Sequence, residues 1–189
     1  SSFLNHELFY LFKPNLQLLN FLISKKIITI DSEISTEICK EVELKNFFII
    51  ELKPFLTQEE YQKTIDSLLA LNSKSLDNFE DKRKIGENDS YLCSLIRDDS
   101  IQEFDAMVNK NNISLKSEIT PSIFETHPFL FNKQPTLIEY AAFYGSIQIF
   151  QYLRLKKVEL KPPLWLYAIH GNNPEIIHII EEDHIFPEN

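Results

Sequence analysis

Ser100-Ile101-Gln102-Glu103-Phe104 returns 46 residues later as Ser146-Ile147-Gln148-Ile149-Phe150. A recurrence at this spacing restricts the C-terminal half to an array of supersecondary units, each too small to bury its own apolar face. The same offset sets Ser90 against Thr136, and Leu95-Ile96 against Ala141-Ala142. A third copy follows at an offset of 26, with Ala142 against Ala168 and Gly145 against Gly171; one residue inserted after Gly171 then brings Ile149-Phe150 onto Ile176-Ile177. Each copy reads as two short helices around a tight turn. Thr136 with Glu139 forms a capping box, in which hydroxyl and carboxylate exchange bonds with each other's backbone N–H. Asn173-Pro174-Glu175 supplies an N-cap, a proline at the first helical position and an acid in the first turn.

The middle copy, Thr136-Leu137-Ile138-Glu139-Tyr140-Ala141-Ala142-Phe143-Tyr144-Gly145, resembles the inner helix of the ankyrin repeat, with Ile149-Phe150 and Tyr152-Leu153 at the apolar places of the outer helix. Ala141 and Ala142 allow close helix approach, and Gly145 permits a left-handed turn. The pattern departs at Leu137 for proline, at Glu139 for histidine and at Asp99 for glycine. The offsets imply one lengthened connecting finger (about 111–135) and one shortened finger (155–163). More narrowly, the stretch from about Lys84 to Ile185, with Lys84-Ile85-Gly86-Glu87-Asn88-Asp89-Ser90-Tyr91 and Leu164-Trp165-Leu166-Tyr167-Ala168-Ile169-His170-Gly171-Asn172-Asn173, resembles the ankyrin-associated domain of unknown function of trichomonad ankyrin proteins. The N-terminal half is similar to that family's helical leader. The resemblance carries over no catalytic residue, and members of that family typically continue into further repeats.

Ahead of the repeats, Leu4, Leu8, Leu11 and Phe12 recur at helical spacing up to Pro14, and Leu16, Leu19 and Ile23 form a second stripe with Pro14 in its first turn. Ile27 to Ile30 reads as a strand fragment or a buried link. A third helix is predicted over Ser32–Glu43 and a β-rich stretch over Asn46–Leu52. Thr57-Gln58-Glu59-Glu60 is a second capping box, opening a helix through Tyr61, Ile65, Leu68 and Leu69. Residues 72–90 are polar and read as a linker. The expected organisation is an N-terminal helical region at 1–75, a linker at 76–89 and about three degenerate ankyrin-like helix pairs at 90–189. The fold class is all-α, with a helical bundle followed by a short solenoid.

Composition excludes several functions. With three glycines in 189 residues, a phosphate-binding loop or dinucleotide fingerprint is not available. A net charge of −9 disfavours nucleic-acid binding, which depends on Lys and Arg displacing counterions from phosphate. The short basic runs Lys82-Arg83-Lys84 and Arg154 with Lys156-Lys157 read as solvated surface. No apolar run approaches membrane-spanning length, and Glu7 and Lys13 break any leader-like start. The two cysteines, Cys39 and Cys93, provide neither a disulfide framework nor a zinc cluster. Cytoplasmic residence is the expectation.

Catalytic, metal and cofactor sites are not expected. His178 and His184 are six apart, on different helix faces, and His170 ends an inner helix. Cys93 reads as a packed residue, not a nucleophile served by His127, and Asp98-Asp99 and Glu181-Glu182 as solvated carboxylates, with Asp99 a helix cap. In ankyrin-like repeats the variable places just before the turn lie on the concave face. Here they hold Phe143 and Tyr144, matched by Ile169-His170 and by Arg97-Asp98. Large aromatics there either anchor a partner or are covered by the finger or the N-terminal helices. Trp165 reads as core. The finger also carries His127-Pro128-Phe129-Leu130-Phe131, whose Phe129 and Phe131 either pack back on the repeat or insert into another chain. The far end of the stack, near Ile177, Ile179 and Ile180, lacks a polar cap and is expected to be covered. These features together imply a non-enzymatic protein-interaction or scaffold module that binds a protein partner. The alternative is a permanent structural component of a cytoskeletal or flagellar assembly.

Overall fold

The computed structural model describes residues 2–71 and 78–186, and they are all-helical, with thirteen α-helices and no named strand. An isolated antiparallel bridge pairs Glu118 with Thr136. The chain divides into two compact units. The first comprises 1–88 together with 122–131, and the second 89–121 together with 132–189. The expected linker residues 72–77 lie outside the described residues.

In the first unit, α1 (Ser2–Phe12) packs on α2 (Leu16–Ser24). Asn15, not Pro14, opens α2: its Oδ1 accepts from Leu18 N at 3.0 Å. Ile27 to Ile30 forms no strand; it is a link that buries Ile28. The region predicted as one helix holds α3 (Ser32–Ile38), capped by Asp31, and the start of α4 (Val42–Phe47). The β-rich reading of Asn46–Leu52 is overturned, because these residues finish α4 and form α5 (Ile49–Leu52). Leu44, Phe47, Phe48 and Leu52 recur at helical spacing and enter one core with Phe9, Leu16, Leu19, Ile28, Ile34 and Ile38. Burial on that period outweighs the strand preference of Phe and Ile. A 3₁₀ turn (Lys53–Phe55) leads to α6 (Gln58–Leu71), opened by the Thr57–Glu60 capping box.

Residues 79–85, within the expected linker, form α7 (Phe79–Ile85). Phe79 and Arg83 are one helical turn apart and both are buried. The Arg83 guanidinium donates to Glu51 Oε2 at 2.7 Å, to Glu51 Oε1 at 2.5 Å and to Phe47 O at 2.8 Å. It also lies over the rings of Phe47, Phe48 and Phe79. A cation can be buried here because a bidentate carboxylate, a carbonyl and three aromatic faces replace its water.

The second unit holds α8 (Tyr91–Arg97), α9 (Ile101–Asn111), α10 (Leu137–Tyr144), α11 (Ile147–Leu155), α12 (Leu164–Gly171) and α13 (Pro174–Glu182). Each even-numbered helix packs on the odd-numbered helix that follows it. In addition α10 packs on both α8 and α12, and α11 on both α9 and α13. The turns repeat with the helices. A left-handed residue ends α8 at Asp99 (φ 49°), α10 at Gly145 (φ 68°) and α12 at Asn172 (φ 47°). Aspartate, glycine and asparagine are the residue types that tolerate this region best. Asn172 therefore takes the place of Gly145 in the third copy. The inserted residue precedes this turn and does not follow Gly171, as the sequence alignment had it. Gly171 is helical, and a Cβ there would stand 2.0 Å from Ala142 O, so its role is the close approach of α12 to α10.

A second left-handed residue follows each outer helix: Asn112, Lys157 and His184. After each, an amide reaches back five residues, from Ile113 to Val108, Val158 to Leu153 and Ile185 to Ile180. This six-to-one bond is the Schellman closure of a helix C-terminus. Side chains then join neighbouring pairs. Tyr152 Oη donates to Asp105 at 2.6 Å, which pushes its pKa up to about 12, and Arg154 holds Asp183 through two bonds of 2.6 Å.

Candidate interaction surface

The last turns of α8, α10 and α12 bring Arg97, Tyr144, Phe143 and His170 into one row. Arg97 Nη1 donates to Tyr140 Oη at 3.0 Å and its guanidinium lies 5.8 Å over the Tyr144 ring. Tyr144 meets Phe143 edge-on with centroids 5.0 Å apart, and Phe143 meets His170 at 5.6 Å. Offset and edge-to-face ring contacts are the favourable geometries for such a row, and the cation adds to them electrostatically. Tyr140 lies beneath it, 4.8 Å from Tyr144 and 1% exposed. Burial, then the nearby Cys93 and Tyr144, hold its phenol pKa far above the ordinary value, so it is a neutral hydrogen-bonding group at any working pH.

The row differs from the sequence expectation in what it exposes. Phe143 is 8% exposed and belongs to the core. Arg97 and Tyr144 are half-buried, whereas Ile169 and His170 are exposed. The accessible apolar surface of α12 is Leu166 (56%) with Ile169 (61%), one turn apart. The sequence reading overlooked Leu166, although its position three residues before Ile169 on a helix signalled a shared face. Trp165 is half-buried, and its Nε1 donates to Ile185 O at 2.7 Å.

At the far end, Ile179 and Ile180 are buried and Ile177 is half-buried, so α13 turns these residues inward; the exposed large apolar residue there is Phe186. The finger segment is also corrected. Phe131 packs against the core of the first unit, neither back on the repeats nor outward, and Leu130 beside it is buried. Phe129 is half-buried, its amide donating to His127 Nδ1 at 3.2 Å. Thr126 fixes the segment by donating its amide and hydroxyl to Gly86 O at 3.0 and 2.9 Å, and Phe124 meets Phe79 edge-on at 5.2 Å.

The candidates for chemistry have structural surroundings. Cys93 is buried in α8. Asp99 directs its carboxylate at the first amides of α11, accepting from Gln148 N and Ile149 N, each at 2.9 Å. His178 pairs with Glu181 and His184 stacks on Phe186. Among the described residues, no three His, Cys, Asp or Glu side chains gather as a metal site would require, and no helix is long and apolar enough to cross a membrane. No family model, curated protein or solved structure matches the chain.

Proposed function

We propose that this protein is a non-enzymatic interaction module of ankyrin type, with its second unit a short solenoid of three degenerate helix pairs that binds a protein partner in the cytoplasm. One observation carries this reading: the three helix pairs repeat their left-handed turns and Schellman closures at matching places, and their inner helices align Arg97, Tyr144, Phe143 and His170 in one row. Repeated pairs of this kind depend on their neighbours for stability and leave one side of the inner helices for recognition. Phe143 supports that side from within, and the partner meets Tyr144, Leu166, Ile169 and His170.

Affinity capture from the native cell with the intact chain and with a Leu166→Asp/Ile169→Asp variant tests the proposal. Proteins retained by the first and lost by the second, with both baits equally helical and equally cooperative in melting, support it. Equal recovery of every captured protein by both baits would sink it. The alternative reading as a lattice component finds no separate support in the fold.

A further inference from the structure

The finger between α9 and α10 contains a dipeptide that the interaction reading does not use. Thr120-Pro121 is the one place in the chain where a hydroxyl residue precedes any of the nine prolines. Both residues are exposed and lie outside every helix. Just before them, Ile119 is buried and its amide donates to Pro135 O at 2.7 Å. Just after them, Ser122 Oγ accepts from Phe124 N at 3.2 Å. The dipeptide is thus exposed just after a buried, hydrogen-bonded Ile119, and the residue before a proline is held away from the helical region in any case.

Thr57 and Thr136 each give their hydroxyl to a capping-box glutamate, Glu60 and Glu139, and open a helix. Both therefore stand at a helix start, whereas Thr120 belongs to no helix. We infer that Thr120 is a phosphorylation site for a proline-directed serine/threonine kinase. Such an enzyme requires a segment in extended form and reads a residue without an amide N–H just after the acceptor, since a proline there leaves no donor unpaired in an apolar pocket. The γ-phosphoryl group of Mg-ATP passes to Thr120 Oγ1. The new P–O bond forms as the bond from the γ-phosphorus to the β–γ bridging oxygen breaks, ADP departs, and the hydroxyl proton goes to the kinase's catalytic carboxylate. The product carries about −1.5 to −2 additional charge and three strong acceptor oxygens beside the exposed Glu118.

The test uses the intact folded chain with a purified proline-directed kinase and Mg-ATP, followed by mass spectrometry of the whole protein and its fragments. One phosphoryl group assigned to Thr120 is expected, with none there in Thr120→Ala and a rate lower by about tenfold in Pro121→Ala. A synthetic peptide of residues 114–127 serves as the unstructured reference. A folded chain that stays unmodified at Thr120 while this peptide is phosphorylated to completion would overturn the inference, as would a Pro121→Ala variant modified as fast as the parent.

Discussion

The Asp99 carboxylate accepts the backbone amide of Ile149 at 2.9 Å across fifty residues of chain, so the turn that ends α8 caps the helix that opens the second half of the next pair. Asp99 also stands in the left-handed region at φ 49°. It therefore has two roles, as turn former and as distant N-cap, that glycine and a carboxylate would otherwise divide.

Asp99→Ala is expected to lower unfolding stability by about 1–3 kcal/mol, combining a lost cap with left-handed strain on a residue that has a Cβ. Asp99→Gly relieves the strain and loses only the cap, and so falls between alanine and the parent. Urea denaturation of the three proteins gives the order. An alanine variant as stable as the parent would contradict the bond.

Gly171 and Gly145 separate two uses of glycine. Gly145 requires a positive φ, so Gly145→Ala should cost about 1–2 kcal/mol. Gly171 has an ordinary helical backbone, yet a Cβ would meet Ala142 O at 2.0 Å and Phe143 O at 3.0 Å, both backbone atoms. Gly171→Ala is therefore expected to be the more damaging substitution, despite alanine's better helix propensity. Thermal melting compares them directly.

The Arg83 clamp predicts an asymmetry. Glu51→Gln removes the counter-charge and leaves a buried guanidinium, which should cost about 3–5 kcal/mol. Replacing both residues, as Arg83→Met with Glu51→Gln, should recover part of that loss, because no buried charge then remains unpaired. A double-mutant cycle by denaturant unfolding measures the coupling, and additive effects would contradict the clamp.

The Lys13–Glu37 pair predicts a pH dependence in the first unit. Hydrogen bonds from Lys13 and then Lys40 bring the Glu37 carboxyl from its ordinary 4.5 down to about 2. A group whose folded pKa is lowered contributes fully above its unfolded value and loses that contribution as pH falls through the folded one. The stabilisation should thus be complete above about pH 4.5 and disappear toward about pH 2. In Lys13→Met the acid limb of the stability profile should be shallower over that window, read by unfolding at a series of pH values.

Phe143 of α10 and Ile169 of α12 both lie in the last turn of an inner helix but differ in exposure, 8% against 61%. Phe143→Ala is expected to destabilise by about 3–4 kcal/mol, as truncation of a packed aromatic does. Ile169→Ala should change stability by less than about 1 kcal/mol. Equal melting shifts for the two would show that the row is not layered as described.

Three helix starts were legible from local signals, whereas the Asn15 cap of α2 was passed over for Pro14. The capping boxes at Thr57 and Thr136 and the Asn173 cap all form where their spacing predicts, because each joins groups within three residues. Asn46–Leu52 failed for the opposite reason. Its β-branched and aromatic residues match either period, and only the surrounding core selects the helical one. The linker reading of 79–85 failed because the charged run Lys82-Arg83-Lys84 hides a buried member, and Arg83 is buried only through partners 32 and 36 residues away.

The amino-acid order alone established the all-helical character, the recurrence of helix pairs, and the residues set just before the turns at Asp99 and Gly145, since these follow from backbone periodicity and from short-range bonds; the third turn, at Asn172 and not Gly171, was placed only by the packing of α12 on α10. The tertiary structure decided which of those residues stay accessible. It buried Phe143, left Leu166 and Ile169 open, and sent the Phe124–Phe131 stretch into the core of the first unit by tying Thr126 to Gly86. Exposure depends on what distant segments bring against a side chain, and such pairings leave no periodic trace in the chain that carries them.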